Sequence, residues 1–174
     1  MDSLTFRAAG VADIDAVVRL VTRAYRGDAS RAGWTTEADL LDGERIDPDV
    51  LRVDIERPGS QVVLGLRDGV LEACAHVADQ GGHAYFGMFA VEPTSQGAGI
   101  GRALIGECER IARDDWRLPL VRMTVIDVRD ELIAWYGRLG YRRTGIFHPF
   151  PYGDVRFGIP RREDLRFEVL EKPL

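Results

Sequence analysis

Apolar residues at Ile14, Val17, Val18, Val21, Ala24 and Tyr25 recur three and four positions apart, the spacing that gives a helix one apolar face. A short strand, "LTFRA" at residues 4–8, precedes it, and Asp13 stands where a helix cap is expected. Residues 28–57 hold no sustained period. Within them "GWTTEADLL" offers a capping box at Thr35 or Thr36 and a short helix, and "DPDVLRVDIE" predicts another with proline in its first turn. The period then becomes two. "SQVVLGL", a turn at Asp68-Gly69 and "VLEACAHVA" predict a hairpin, because Asp-Gly takes the positive φ angles that a two-residue hairpin turn requires.

A third strand is predicted at "HAYFGMFAV", with His83, Tyr85, Gly87, Phe89 and Val91 on one face and Ala84, Phe86, Met88 and Ala90 on the other. Both faces are apolar enough for a central position in a sheet. From Ile100 the helical period returns, with Ile100, Leu104, Cys108, Ile111 and Ala112 on one side. "LPLVRMTVI" predicts the next strand, and "RDELIAWYGRLG" a short helix stopped at Gly140. "YRRTGIFH" and "VRFGI" predict closing strands around the turn-rich "PFPYGD". This order predicts an α/β fold, a mixed sheet flanked by helices.

With 174 residues, 45% hydrophobic and 29% charged, the expectation is one folded domain spanning 1–174. A net charge of -5 argues against nucleic acid as a partner. Cys74 and Cys108 form no metal-ligand spacing, so no metal is expected and both thiols are read as reduced. "MDSLTFRAAG" lacks a basic stretch followed by an apolar one, and no run reaches membrane-spanning length, so the expected setting is the cytoplasm with no membrane partner.

"VEPTSQGAGIGRAL" places three glycines at alternate positions between a strand pattern and a helix pattern. The first N–H groups of a helix have no partner within it, and glycines remove the side chains around them, so the segment suits a phosphate or pyrophosphate. Gln96 adds a side-chain amide. A P-loop fits poorly, because Arg102-Ala103 follow the last glycine where Lys and Ser or Thr are needed. A dinucleotide fingerprint also fails, with Arg102 at the third glycine position and an antiparallel meander before it, although Asp127 imitates the ribose-binding acid.

The pattern Gln/Arg-x-x-Gly-x-Gly/Ala is filled by Gln96, Gly99 and Gly101. Together with the strand ending at Phe89, Ala90 and Val91, the Glu92-Pro93 step and "WYGRLGYRRTG", it resembles the GNAT superfamily of N-acetyltransferases over about residues 83–145. That resemblance implies a GNAT-like acyl-CoA N-acyltransferase fold with a mostly antiparallel central sheet. It further implies that Gln96, Gly97, Ala98, Gly99, Ile100, Gly101 and Arg102 bind the pyrophosphate of acetyl-CoA. The pantetheine arm would pair with the backbone of Phe89, Ala90 and Val91, and Met88 and Phe89 would meet the thioester carbonyl. Tyr136 aligns with the tyrosine that protonates the leaving thiolate, while its helical spacing with Leu132, Trp135 and Leu139 equally describes a core residue. Arg129 stands where the family often has an asparagine that bonds the pantetheine.

Acetyl transfer from acetyl-CoA to an amine of a small molecule or peptide, in a ternary complex, is the activity implied. A non-catalytic acyl-CoA-binding module and a nicotinamide-dependent oxidoreductase are the alternatives. His76, His83, His148 and Glu92 are the candidates for a base. The acceptor is expected between residues 28–57 and "HPFPYGD", with Trp34, Phe150 and Tyr152 as candidate pocket walls. Nine acids against four arginines in 28–57 favour a cationic amine there. The resemblance leaves room for a homodimer, and the sequence specifies no interface.

Overall fold

The structure, a computed structural model, describes residues 3–26, 41–42, 46–153 and 158–174. Trp34, the capping box at Thr35 or Thr36, most of the acidic stretch and most of "VRFGI" lie outside these residues. Nine strands are described: β1 (Leu4–Ala8), β2 (Leu41–Asp42), β3 (Ser60–Arg67), β4 (Val70–Asp79), β5 (Ala84–Val91), β6 (Leu120–Ile126), β7 (Arg142–Pro149), β8 (Ile159–Pro160) and β9 (Arg166–Pro173). With them come helices α1 (Ile14–Tyr25), α2 (Pro48–Glu56), α3 (Ile100–Arg110) and α4 (Asp130–Arg138). Seven strands form one sheet in the order β1-β3-β4-β5-β6-β9-β7, and β2 pairs with β8 separately. Every pair in the large sheet is antiparallel except β5 with β6.

Helices cover both faces of the sheet, so its central strands are apolar on both. Val62 and Leu64 of β3 pack with α1 and α2, around Val17, Leu20, Val21 and Leu51. Val63, between them, faces the other way and joins the core under α3 and α4, with Ile100, Leu104, Leu132 and Tyr136. Asp68 and Gly69 take φ of 52° and 81° at the β3–β4 turn, as their sequence predicts.

Asp13 does not cap α1 through its side chain. Its carboxylate instead accepts the Gly10 N–H at 2.8 Å and a two-pronged bond from Arg7, closing the 3-10 turn at Val11–Asp13. The guanidinium holds this carboxyl down to about 2.

The alternation expected along β5 breaks at Met88. This residue has φ of 48°, and the β4–β5 register slips between Cys74, opposite Ala90, and His76, opposite Gly87. The extra residue is a β-bulge, and it reverses the faces that follow. Phe89 and Val91 therefore share the α3 side with Ala84 and Phe86, while Met88 and Ala90 pack toward α1. Among the described residues the parallel β5–β6 ladder is confined to Ala84–Val121 and Tyr85–Arg122. Beyond it the two strands part.

Strand β9 was not expected from the pattern of the chain. It inserts between β6 and β7, where Glu168, 2% exposed, receives Arg143, and Glu171 receives Arg142 and Arg122. Charged residues paired across strands obscure its alternation.

Candidate active site

Between the end of β5 and α3 the chain makes a 3-10 turn at Pro93–Ser95 and then the glycine loop. Gly97 and Gly99 have φ of 89° and 81°, and a Cβ on either would meet nothing within 4 Å. Gly99 is the residue ahead of α3, so its left-handed backbone turns the chain into the helix and leaves the first helical N–H groups bare. Gly97, Ala98 and Gly99 are exposed, whereas Ile100 is 1% exposed and anchors the helix in the core.

Gly101 does something else. A Cβ there would stand 2.9 Å from Phe89 Cζ and 3.4 Å from Val91 Cγ2, so this glycine lets α3 lie close against β5. Gln96 is likewise turned inward, donating its amide to the Val91 carbonyl at 3.2 Å.

A groove of about 580 Å³ runs beneath this loop. Its floor is Phe89 and Val91, one wall is the glycine loop with Arg102, and the other is the α4 face of Glu131, Ala134, Trp135 and Arg138. That α4 face repeats at helical spacing and is not the helix's core face. Leu132, Ile133 and Tyr136 are the residues α4 buries. The groove residues of α4 were not singled out in the sequence, although the spacing of Glu131, Trp135 and Arg138 was there to be read.

Behind Phe89 lies a smaller cavity of about 60 Å³, in the gap where β5 and β6 part. Tyr25, Met88, Arg129, Leu132 and Tyr136 line it, and Phe89 lines both spaces. Tyr136 is 4% exposed and packs edge-on against Trp135 and Tyr141, 5.3 and 5.9 Å between centroids, so it is a core residue and a cavity wall at once. Tyr141 donates to Glu109 at 3.0 Å, and burial, then the Glu109 charge, pushes its phenol up. Arg129 precedes α4 and lies over the Tyr25 ring, 5.6 Å from its centroid, at the inner cavity and not at the glycine loop.

The ladder settles which backbone groups face the opening. Glu92 N–H bonds the Glu72 carbonyl at 2.7 Å, and two residues back the same alternation turns both polar groups of Ala90 toward Cys74. Phe89 and Val91, at the intervening positions, turn theirs away from β4, where the Gln96 amide takes the Val91 carbonyl and the Tyr25 hydroxyl the Phe89 carbonyl, so that their N–H groups are what the open edge presents. Of the three expected backbone partners of the pantetheine arm, Ala90 is thus committed to β4.

The base candidates are placed apart from these cavities. His76 is buried against α2, with Nε2 2.8 Å from Ser60 Oγ and Nδ1 3.7 Å from Asp54. Burial lowers its pKa. His83 bonds Gln80 at 3.1 Å, His148 is exposed on β7, and Glu92 pairs with Arg23 at 2.6 Å. None of the four lines either cavity.

Phe150 and Tyr152 line neither of these two cavities. Phe150 is packed with Ile126, Leu165 and Phe167, and Tyr152 bonds the backbone of Arg162 and Leu165, because these rings hold the loop after β7 onto β9. Of the acids in 28–57, Asp47 caps α2 and Asp54 faces Arg57 and His76. Asp28, Glu37, Asp39 and Glu44 lie outside the described residues.

The described residues hold no group of three His, Cys, Asp or Glu able to bind a metal ion, and no helix among them is long and apolar enough to cross a membrane.

Solved structures with the same fold cover nearly the whole chain. The ribosomal-protein-S18-alanine N-acetyltransferase of Escherichia coli superposes with a TM-score of 0.72 at 16% identity, covering 98% of this chain and 94% of that one. The Salmonella typhimurium protein yncA, solved with its cofactor acetyl-CoA, gives 0.71 at 19% identity, with 99% and 94% covered. The PaiA N-acetyltransferase of Thermoplasma acidophilum, solved with coenzyme A, gives 0.71 at 14% identity, with 99% of each chain covered. No curated protein sequence matches the chain. The model of the Acetyltransferase (GNAT) family matches residues 16–141, which span β5, the glycine loop and α4, and the chain belongs to that family.

Proposed function

We propose that the chain is a single-domain, acetyl-CoA-dependent N-acetyltransferase that passes the acetyl group directly to an amine of a small molecule or peptide held in the same complex. One observation carries the reading: Phe89 is the shared wall between the groove under the glycine loop and the inner cavity that holds Tyr136. A donor lying in the groove would bring its thioester to that wall.

The bare N–H groups at Gly97, Ala98 and Gly99, the positive end of α3, and Arg102 and Arg138 at the mouth suit the pyrophosphate. The N–H groups that Phe89 and Val91 leave at the open edge suit the carbonyls of an extended pantetheine arm, which would lie along β5 as a strand does. Acetyl-CoA supplies the activated acyl group. At the bulge, Met88 and Phe89 stand where N–H donors would stabilise the thioester oxygen as it gains charge. Tyr136, a wall of the inner cavity, would return a proton to the sulfur as it leaves. No side chain is assigned as base: a neutral amine attacks the thioester carbon, the C–S bond breaks, and the surplus proton on the new amide nitrogen passes to water.

The reading is tested by mixing the protein with acetyl-CoA and a panel of amino acids, polyamines and short peptides and following free thiol. Amine-dependent release with intersecting initial-rate lines is expected, since direct transfer needs both substrates bound, whereas parallel lines mark a covalent acyl-enzyme. Coenzyme binding with no thiol release against any amine would leave a non-catalytic acyl-CoA module.

A further inference from the structure

We infer that Tyr25, at the end of α1, is a positioning residue for acetyl transfer: its hydroxyl holds the Phe89 carbonyl and so sets what the open edge of β5 presents to the thioester. The inference rests on the acetyl-CoA reading above. Tyr25 is 3% exposed, and its hydroxyl donates to the Phe89 carbonyl oxygen. A buried phenol needs a partner. This one takes it from strand backbone at the place where the strand is irregular, beside Met88 with its φ of 48°.

The register gives that bond its consequence. The peptide units here are planar and trans, so the Phe89 carbonyl and the Ala90 N–H point in opposite directions. With Ala90 turned to Cys74, the Phe89 carbonyl must point into the gap between β5 and β6, where the developing oxyanion would lie. A bare carbonyl oxygen there would repel that charge, and the effect is strong in a cavity that excludes water. The Tyr25 hydroxyl occupies the oxygen and fixes the peptide plane, leaving N–H groups as the polar groups offered at the edge.

One further contact holds the ring. Arg129 lies over it from the start of α4, a cation–π geometry. Tyr25 belongs to the core on the α1 face and Tyr136 to the core on the α3 face, and the two line one cavity from opposite sides of the sheet. Tyr25 moves no proton itself. It acts through Phe89.

Acetyl-CoA labelled with ¹³C at its carbonyl tests this without an acceptor. On wild-type protein the carbonyl resonance should move downfield from its free position, as a hydrogen-bonded carbonyl does. On Tyr25→Phe it should move roughly halfway back or more, while coenzyme A affinity stays within about threefold. A fluorotyrosine at position 25, studied while its hydroxyl is still protonated, keeps the ring and strengthens the donor, so a protein that folds as wild type should show a further shift. Equal resonances in all three proteins would overturn the role of Tyr25 and leave the coenzyme site standing. No binding of acetyl-CoA to wild-type protein would overturn both.

Discussion

Trp135 lies nearly flat against Phe89, ring centroids 5.9 Å apart and planes 17° from parallel. The pair joins α4 to β5 at the one described residue that borders both the groove and the inner cavity. Trp135→Leu removes the stack, expected to cost about 1 kcal/mol of stability. Because the indole also faces the groove, acetyl-CoA affinity should fall about tenfold in a calorimetric titration. An unchanged Kd would mean that the indole serves packing alone.

Two glycines of α3 should respond in opposite ways. Gly101→Ala drives a methyl group to 2.9 Å from Phe89, so either the Phe89 ring or α3 must shift. A loss of about 1–3 kcal/mol is expected. Gly106→Ala meets nothing within 4 Å and gains helix propensity, so it should stabilise by up to about 1 kcal/mol. Denaturant midpoints of the two variants decide, and equal shifts would contradict the close approach at Gly101.

Tyr136→Phe keeps the packing with Trp135 and Tyr141 and removes only the hydroxyl. Coenzyme affinity should hold while turnover falls at least about tenfold once an acceptor is found. Equal turnover removes the acid role.

His76 makes stability depend on pH. Burial, then the Asp54 charge opposing it and Arg57 reinforcing it, sets its pKa below 6.5, so the folded protein binds this proton less readily than the unfolded chain. Stability is therefore full above that pH and falls as pH drops toward the folded value, since the unfolded state takes up the proton first. His83 is lowered as well, chiefly by burial, and contributes in the same direction. Urea midpoints from pH 7 to pH 5 should decline in wild type and decline less in His76→Gln. Identical slopes would show that His76 is not the group responsible.

The parts of the fold that declared themselves in the sequence rest on local chemistry. The Asp68-Gly69 turn needs only its own two residues, and α1, α3 and α4 need only the period of their apolar positions. The glycine loop was legible for the same reason. Three features needed the whole chain. The bulge at Met88 appears only when β5 is laid against β4, and it moved Phe89 and Val91 to the other face. Strand β9 carries Glu168 and Glu171, whose partners Arg143 and Arg122 lie 25 and 49 residues away. Tyr25 reads as the last apolar position of a helical stripe, and nothing within that stripe foretells the Phe89 carbonyl 64 residues on.

The central claim is that the loop at Gln96–Arg102 and the open edge at Phe89 and Val91 hold a coenzyme A thioester. Thermal unfolding with acetyl-CoA, coenzyme A, NADH or no ligand tests it most directly, because a ligand that binds only the folded state raises Tm with the logarithm of its saturation. The account predicts a rise with acetyl-CoA and coenzyme A and none with NADH. A rise with NADH alone, or no rise with any of the three ligands, would contradict it.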